Sequence, residues 1–65
     1  MFYILEKELK NKHLTREKYA ELLGIGVTTV SLKLNQKSEF TLSECKKTQE
    51  ILDFKGSINE LFRND

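Results

Sequence analysis

The sequence predicts one all-α domain of five short helices. Its 65 residues include no proline, and no stretch alternates strictly between apolar and polar residues as a half-buried strand does. Apolar residues instead recur at intervals of three, four and seven, the spacing that places side chains on one face of a helix. Residues suited to helix ends separate these segments. We therefore expect helices throughout, joined by short connections.

Composition and cysteine usage restrict the class of protein. The chain is 38% hydrophobic and 32% charged, an ordinary balance for a soluble globular domain. Its single cysteine, Cys45, excludes an internal disulfide, and with the single histidine, His13, it cannot form a structural zinc site. The apolar start ends at Glu6, which is too short for a signal peptide or a membrane span. We expect a cytoplasmic protein with no membrane partner and no metal.

The first predicted helix runs from Phe2 to Lys12. The second begins after Thr15 and runs to Leu23. Threonine suits an N-cap because its hydroxyl accepts a hydrogen bond from a backbone amide of the first turn. The inward faces of these two helices are expected to carry six residues: Phe2, Leu5, Leu9, Tyr19, Ala20 and Leu23.

Two glycines interrupt the pattern after the second helix. Gly24 is placed to adopt the left-handed conformation that closes a helix, and Gly26 is a tolerable N-cap for the next one. This third helix is expected from Val27 to Asn35. Its predicted inward residues are Val30 and Leu34.

Two capping boxes predict the last two helices. Residues 41–44 (Thr-Leu-Ser-Glu) and 57–60 (Ser-Ile-Asn-Glu) each place a hydroxyl at the N-cap and a carboxylate three residues later. The fourth helix is expected to reach Phe54, and the fifth to reach Arg63. The predicted inward residues of the fourth helix are Leu42, Cys45, Ile51 and Leu52.

The charges are unevenly distributed although the net charge is only +1. No acidic residue occurs from Leu22 to Ser38, and Lys33 and Lys37 both fall within this window. Such a gap predicts one positive face on a nearly neutral protein. A chance gap in a short sequence is the alternative.

The segment from about residue 15 to residue 37 has the spacing of a helix-turn-helix. Ala20, Gly24 and Val30 are at positions 5, 9 and 15 of a window that starts at Arg16. The motif needs a small residue where its helices cross and a turn residue that tolerates positive φ. It also needs an apolar residue that packs the second helix on the first. These three residues meet those needs.

Two stretches also resemble phage repressor and Cro-type helix-turn-helix proteins. LTREKYAELLGI (residues 14–25) looks like the first half of their motif. TTVSLKLNQKSEFTLSE (residues 28–44) is similar to the second half and the following helix in small regulators from phages and mobile elements. The resemblance covers about residues 5–53. It implies a sequence-specific DNA-binding transcriptional regulator whose third helix enters the major groove.

The resemblance also implies which residues contact double-stranded DNA. The expected base-contacting residues are Val27, Thr28, Ser31 and Leu32. The expected phosphate-binding residues are Arg16, Thr29, Lys33, Asn35 and Lys37. Gly26 stands where similar proteins often have a hydroxyl residue. Gln36 stands where they usually have glycine, so the turn after the third helix is expected to be strained or differently shaped.

A homodimer on a palindromic operator is expected, because one recognition helix contacts only a few base pairs. Two copies on a twofold axis, about 34 Å apart, would double the contacts. The candidate dimer contact is the set Ile58, Leu61 and Phe62, spaced i, i+3, i+4 on the last helix. The alternative is that these residues close the core against the first helix.

Enzymatic function is not expected. The single histidine and the single cysteine are far apart in the sequence, and no glycine-rich phosphate loop is present. No cofactor or small-molecule substrate is therefore predicted. The alternative function is a protein-interaction module, such as an antirepressor, that uses the same pair of helices. An acidic third helix would have favoured that alternative, but this helix contains no acidic residue.

Overall fold

The computed structural model describes residues 1–64, and these form five helices and no strand. The helices are α1 (Tyr3–Asn11), α2 (Arg16–Leu23), α3 (Val27–Leu34), α4 (Leu42–Leu52) and α5 (Ile58–Leu61). The predicted all-α architecture is confirmed, with most helices one or two residues shorter than expected. The Cα radius of gyration is 10.5 Å, close to the value of about 10.7 Å for a folded chain of this length. No helix in the described part of the chain has the length and apolar character needed to cross a membrane.

Hydroxyl side chains begin three of the helices as predicted. Thr15, Thr41 and Ser57 each accept a hydrogen bond from the backbone amide three residues later, at 3.1 Å. The capping box of α4 is complete, because the Glu44 carboxylate also accepts a hydrogen bond from the Thr41 amide at 2.9 Å. In α5 the carboxylate of Glu60 instead contacts the Ser57 hydroxyl, at 3.4 Å.

Left-handed backbone closes several of the helices. Gly24 has φ +77°, as expected of the residue that ends α2. Asp53 has φ +50° and ends α4, so that helix stops before the predicted Phe54. Gln36 follows α3 with φ +64°, at the turn for which the sequence predicts a strained or different shape. A non-glycine residue in this conformation costs about 1–2 kcal/mol, so the turn after α3 is strained.

Replacing Gln36 with glycine is expected to raise the free energy of unfolding by about 1 kcal/mol, because glycine adopts a positive φ without the steric cost. The matched control is Gln36→Ala, which keeps that cost and removes the hydrogen bond that Asn64 donates to the Gln36 side chain at 3.0 Å. Urea denaturation of both variants measures the effect. A glycine variant no more stable than the alanine variant would show that this turn is not strained.

The core lies where the five helices meet. Its buried apolar residues are Leu5, Leu9, Tyr19, Ala20, Leu23, Val30, Leu34, Leu52 and Leu61. Phe2 and Ile51 are half-buried against this cluster. The prediction that Leu42 faces the core is wrong, because its side chain is 63% exposed. Leu42 lines a surface depression with Ser43, Lys46, Lys47 and Glu50, so it lies on the outer side of α4.

A buried pair of hydroxyls connects α2 to α4. The Tyr19 and Thr48 hydroxyl oxygens are 2.6 Å apart, and both residues are fully buried. Thr48 donates to the Glu44 carbonyl at 2.7 Å, so Tyr19 donates to Thr48. Burial raises the pKa of Tyr19 to about 12, although the hydrogen bond with Thr48 opposes the rise. The phenol therefore stays protonated and keeps its role as a donor.

The last helix closes the core. Leu61 is fully buried, and Ile58 is half-buried. The ring of Phe62 packs edge to face on Phe2 and Phe40, with centroid distances of 5.9 and 4.9 Å. This burial favours the prediction that α5 closes the core over the prediction that it forms a dimer contact. A dimer contact through Leu61 would require α5 to leave the core.

Replacing Phe62 with alanine is expected to lower the free energy of unfolding by about 2 kcal/mol, since a half-buried aromatic ring would be removed. The control is Tyr3→Ala, because the Tyr3 ring is 62% exposed and its removal should change stability by less than about 0.5 kcal/mol. Thermal unfolding and sedimentation measure stability and assembly state. If Phe62→Ala dissociated a dimer without changing the stability of the monomer, Phe62 would be an interface residue instead.

Candidate nucleic-acid interface

The turn between α2 and α3 sets the position of α3. Gly24 takes its left-handed conformation there, and a Cβ atom on it would meet nothing within 4 Å. Its backbone conformation, and not a lack of space, therefore favours glycine. Ala20 and Val30, which the sequence predicts to pack between α2 and α3, are 2% and 0% exposed. The Gly26 carbonyl accepts a hydrogen bond from the Val30 amide at 3.0 Å and begins α3.

The outward face of α3 brings together the four residues predicted to contact bases. Val27 is 42% exposed and Leu32 is 45% exposed. Thr28 is exposed as well, and Ser31 is half-buried. Residues four apart lie on the same side of a helix. Val27 and Ser31 therefore form one row of this face, and Thr28 and Leu32 form the neighbouring row. We use the name "α3 outer face" for its members: Val27, Thr28, Ser31 and Leu32.

Lys33 does not belong to the exposed surface of α3, contrary to the sequence prediction. Its side chain is 9% exposed, and its ammonium lies 2.8 Å from the Glu44 carboxylate. The same ammonium donates to the Glu39 carbonyl at 2.8 Å and lies 5.9 Å from the centre of the Phe40 ring. A phosphate contact would require breaking this ion pair. Lys33 instead holds α3 against the start of α4.

One carboxylate oxygen of Glu44 takes part both in the ion pair with Lys33 and in the capping box of α4. Its Oε1 accepts hydrogen bonds both from Lys33 and from the Thr41 amide of the capping box. Burial raises the pKa of Glu44, but the hydrogen bonds and the positive charge of Lys33 outweigh this effect and lower the pKa below its ordinary value. The carboxylate is therefore charged at neutral pH and is a lasting partner for Lys33.

The other predicted phosphate-binding residues are exposed: Arg16, Thr29, Asn35 and Lys37. Arg16 forms a surface ion pair with Glu6 at 3.5 Å, with side chains 41% and 33% exposed. Exposed pairs of this kind contribute only about 0–1 kcal/mol, so Arg16 can change partner at low cost. Lys37 follows the strained turn at Gln36. The segment from Leu22 to Ser38, which lacks acidic residues, therefore contributes one exposed cation, Lys37, and not two.

Cys45 and His13 lie away from this interface. Cys45 is 8% exposed, and burial together with the Glu44 carboxylate raises the pKa of its thiol. A buried, protonated thiol is a weak nucleophile, which fits the prediction that Cys45 fills space in the core. His13 is exposed in the turn between α1 and α2, as predicted.

Sequence reasoning missed two polar contacts that hold α3 and α2 against α4. One is the Lys33–Glu44 pair and the other is the Tyr19–Thr48 pair. The first had a signal in the sequence, because Lys33 lies between Val30 and Leu34 on the inward stripe of α3. Nothing in the local sequence distinguishes Thr48 from an exposed threonine.

Comparisons with protein-family models, with curated proteins and with solved structures found no match to this chain.

Proposed function

We propose that the protein is a sequence-specific DNA-binding transcriptional regulator of the repressor or Cro type, with α2 and α3 forming a helix-turn-helix. The observation that carries the proposal is the α3 outer face, which faces solvent and contains no acidic residue. The opposite side of α3 is buried through Val30, Lys33 and Leu34. A helix of this size fits the major groove of B-form DNA. The α3 outer face would then contact base edges.

Phosphate contacts would flank the helix in the groove. Arg16 begins α2, where the free backbone amides of the first turn also favour an anion. Lys37 and Asn35 lie just after α3, and Thr29 is exposed on α3 itself. Contacts of this kind fix the register of a protein on DNA, whereas the base contacts select the sequence.

A homodimer on a palindromic operator is part of the proposal. One helix with four base-contacting residues discriminates among few base pairs, and two copies on a twofold axis would double the contacts. Ile58 and Phe62 are the members of the predicted dimer contact that keep some exposed surface. Sedimentation with and without a palindromic duplex tests this part, and a monomer that binds one-to-one would contradict it.

A protein-interaction module is the second candidate, and the exposed aliphatic side chains of Val27 and Leu32 favour it. Electrophoretic mobility shift with mixed-sequence duplex DNA at low salt separates the two functions. The DNA-binding proposal predicts a shift at concentrations on the order of 10 μM. Absence of any shift at about 100 μM, the weak limit of the usual non-specific dissociation constants, would favour protein interaction, since low salt makes non-specific binding tighter still.

Salt should weaken binding to DNA steeply. With Arg16 and Lys37 each neutralising one phosphate, a dimer is expected to show a slope of log K against log salt near −4. Replacing Lys37 with alanine should make this slope shallower by about 1 for each phosphate that is no longer neutralised, and should weaken binding to all sequences alike. Lys46→Ala is the matched control, since Lys46 is an exposed lysine on α4. Equal slopes for the wild type and Lys37→Ala would show that Lys37 does not bind phosphate.

A further inference from the structure

The α3 outer face combines two exposed aliphatic side chains with two hydroxyls and no charge. Val27 and Leu32 keep 42% and 45% of their surfaces in water. Covering aliphatic surface is favourable by about 25 cal/mol for each Å². Binding is therefore strengthened most where the partner surface is apolar opposite these two residues.

The largest apolar group on base edges in the major groove is the C5 methyl group of thymine. Arginine, lysine, asparagine, glutamine and glutamate make the discriminating hydrogen bonds to bases, and the α3 outer face contains none of them. The hydroxyls of Thr28 and Ser31 bond to several kinds of base edge and so discriminate weakly. Aliphatic contact is thus the main source of sequence preference that this face offers.

We propose that Val27 and Leu32 recognise the C5 methyl groups of pyrimidines, so that the preferred DNA is defined by where methyl groups project into the major groove. This inference rests on the proposed function and names the feature of DNA that the α3 outer face selects. The chemistry is shared by thymine and 5-methylcytosine, because both carry the methyl group at the same ring position.

The spacing of the two residues limits the spacing of the methyl groups. Val27 and Leu32 are five positions apart, which corresponds to about 7.5 Å along the helix axis and about 140° around it. The two side chains therefore reach toward different sides of the groove. Bases along one strand are stacked about 3.4 Å apart. With α3 lying along the groove, the two methyl groups belong to base pairs about two steps apart.

Removal of single methyl groups from the DNA tests the inference. The wild-type protein first selects its preferred duplex from randomised DNA, and each thymine of that duplex is then replaced in turn by deoxyuridine, which lacks only the methyl group. Within each half-site we expect two sensitive positions, about two steps apart. Each replacement should weaken binding about fourfold, the equivalent of about 0.8 kcal/mol for one buried methyl group.

A second arm distinguishes the two sources of the methyl group. At a sensitive position the T·A pair is replaced by C·G, and then by a pair with 5-methylcytosine. Recovery of about fourfold in affinity with 5-methylcytosine assigns recognition to the methyl group in either base. Weaker binding without recovery restricts recognition to thymine.

Protein variants connect the effect to the proposed residues. Leu32→Ala should abolish the uridine effect at one of the two positions while leaving the other unchanged. Leu42→Ala is the matched control, because Leu42 is a 63% exposed leucine outside the α3 outer face, and it should keep both effects. Tight binding that is unchanged by uridine at every position would overturn the inference but leave DNA binding standing. Absence of binding to every duplex, including the random pool, would overturn the proposed function itself.

Discussion

Replacing Lys33 with alanine is expected to lower the free energy of unfolding by about 3 kcal/mol. The change leaves the Glu44 carboxylate without the cation 2.8 Å away, in a site where that side chain is only 18% exposed. It also removes the donor to the Glu39 carbonyl. Breaking a buried pair by deleting one partner typically costs about 3–5 kcal/mol, and the partial exposure of Glu44 places this pair at the lower end.

Urea denaturation followed by circular dichroism measures the decrease. Lys37→Ala is the matched control, because it removes an exposed lysine four positions later and should change stability by less than about 0.5 kcal/mol. The double variant Lys33→Met with Glu44→Gln removes both charges and retains most of the volume, so it should recover much of the stability. Equal stability of Lys33→Ala and the wild type would show that this ion pair does not hold α3 on α4.

The same pair makes stability depend on pH in a defined direction. The pKa of Glu44 is lower in the folded protein than its ordinary value of 4.5, so the folded state holds the charged form more strongly than the unfolded state does. The charged Glu44 carboxylate therefore stabilises the fold at pH values above its ordinary pKa. This stabilisation is lost as the pH falls through the pKa that Glu44 has in the folded protein. In Lys33→Ala this part of the acid dependence should become smaller, because only the hydrogen bonds from Thr41 would still lower the pKa of Glu44.

Replacing Thr28 or Leu32 with alanine is expected to relax the preference for individual base pairs. Leu32→Ala should cost about 0.8 kcal/mol against the preferred base, the value of one buried methyl contact. Thr28→Ala should cost less, because a hydroxyl bonds to several kinds of base edge. Both side chains are exposed on the α3 outer face and lie opposite the buried Val30. Affinity for random DNA should change little, since neither residue bears a charge.

Selection of binding sites from random DNA by each variant measures this effect. Leu42→Ala is the control for Leu32→Ala. The control for Thr28→Ala must remove a hydroxyl elsewhere, and Thr15 is unsuitable because it lies next to Arg16. Thr41 caps α4, so Ser43→Ala, at an exposed position in the first turn of α4, is the better hydroxyl control. If both variants select the same sequence as the wild type, the α3 outer face does not contact the bases.

The helices and most of the core were predictable because they depend on local signals. Caps at Thr15, Thr41 and Ser57 and the glycine at position 24 act within one turn of helix. Leu42 was misplaced because its spacing of three from Cys45 fits the inward stripe, whereas its spacing of four from the exposed Lys46 puts it on the outer side of α4. Periodicity alone does not decide whether a residue at the edge of the inward stripe is buried or exposed.

The candidate site was predictable only in its outward part. Side chains of α3 that face solvent follow from the positions of Val30 and Leu34, because the opposite face of the same helix is then fixed. The role of Lys33 depends on Glu44, eleven residues away on another helix. The inward position of Lys33 could be read from the stripe of α3, but its partner could be identified only from the tertiary packing. Counting the lysines of the sequence therefore overestimates the exposed positive charge.

Titration of the isotope-labelled protein with a selected duplex, followed by amide chemical shifts in nuclear magnetic resonance, tests the central claim most directly. We expect the largest changes at the α3 outer face, with further changes at Arg16 and Lys37 and little change along the outer side of α4 around Lys46. Changes confined to α4 or α5, with the amides of α3 unmoved at saturating DNA, would contradict the assignment of α3 as the helix that contacts the bases.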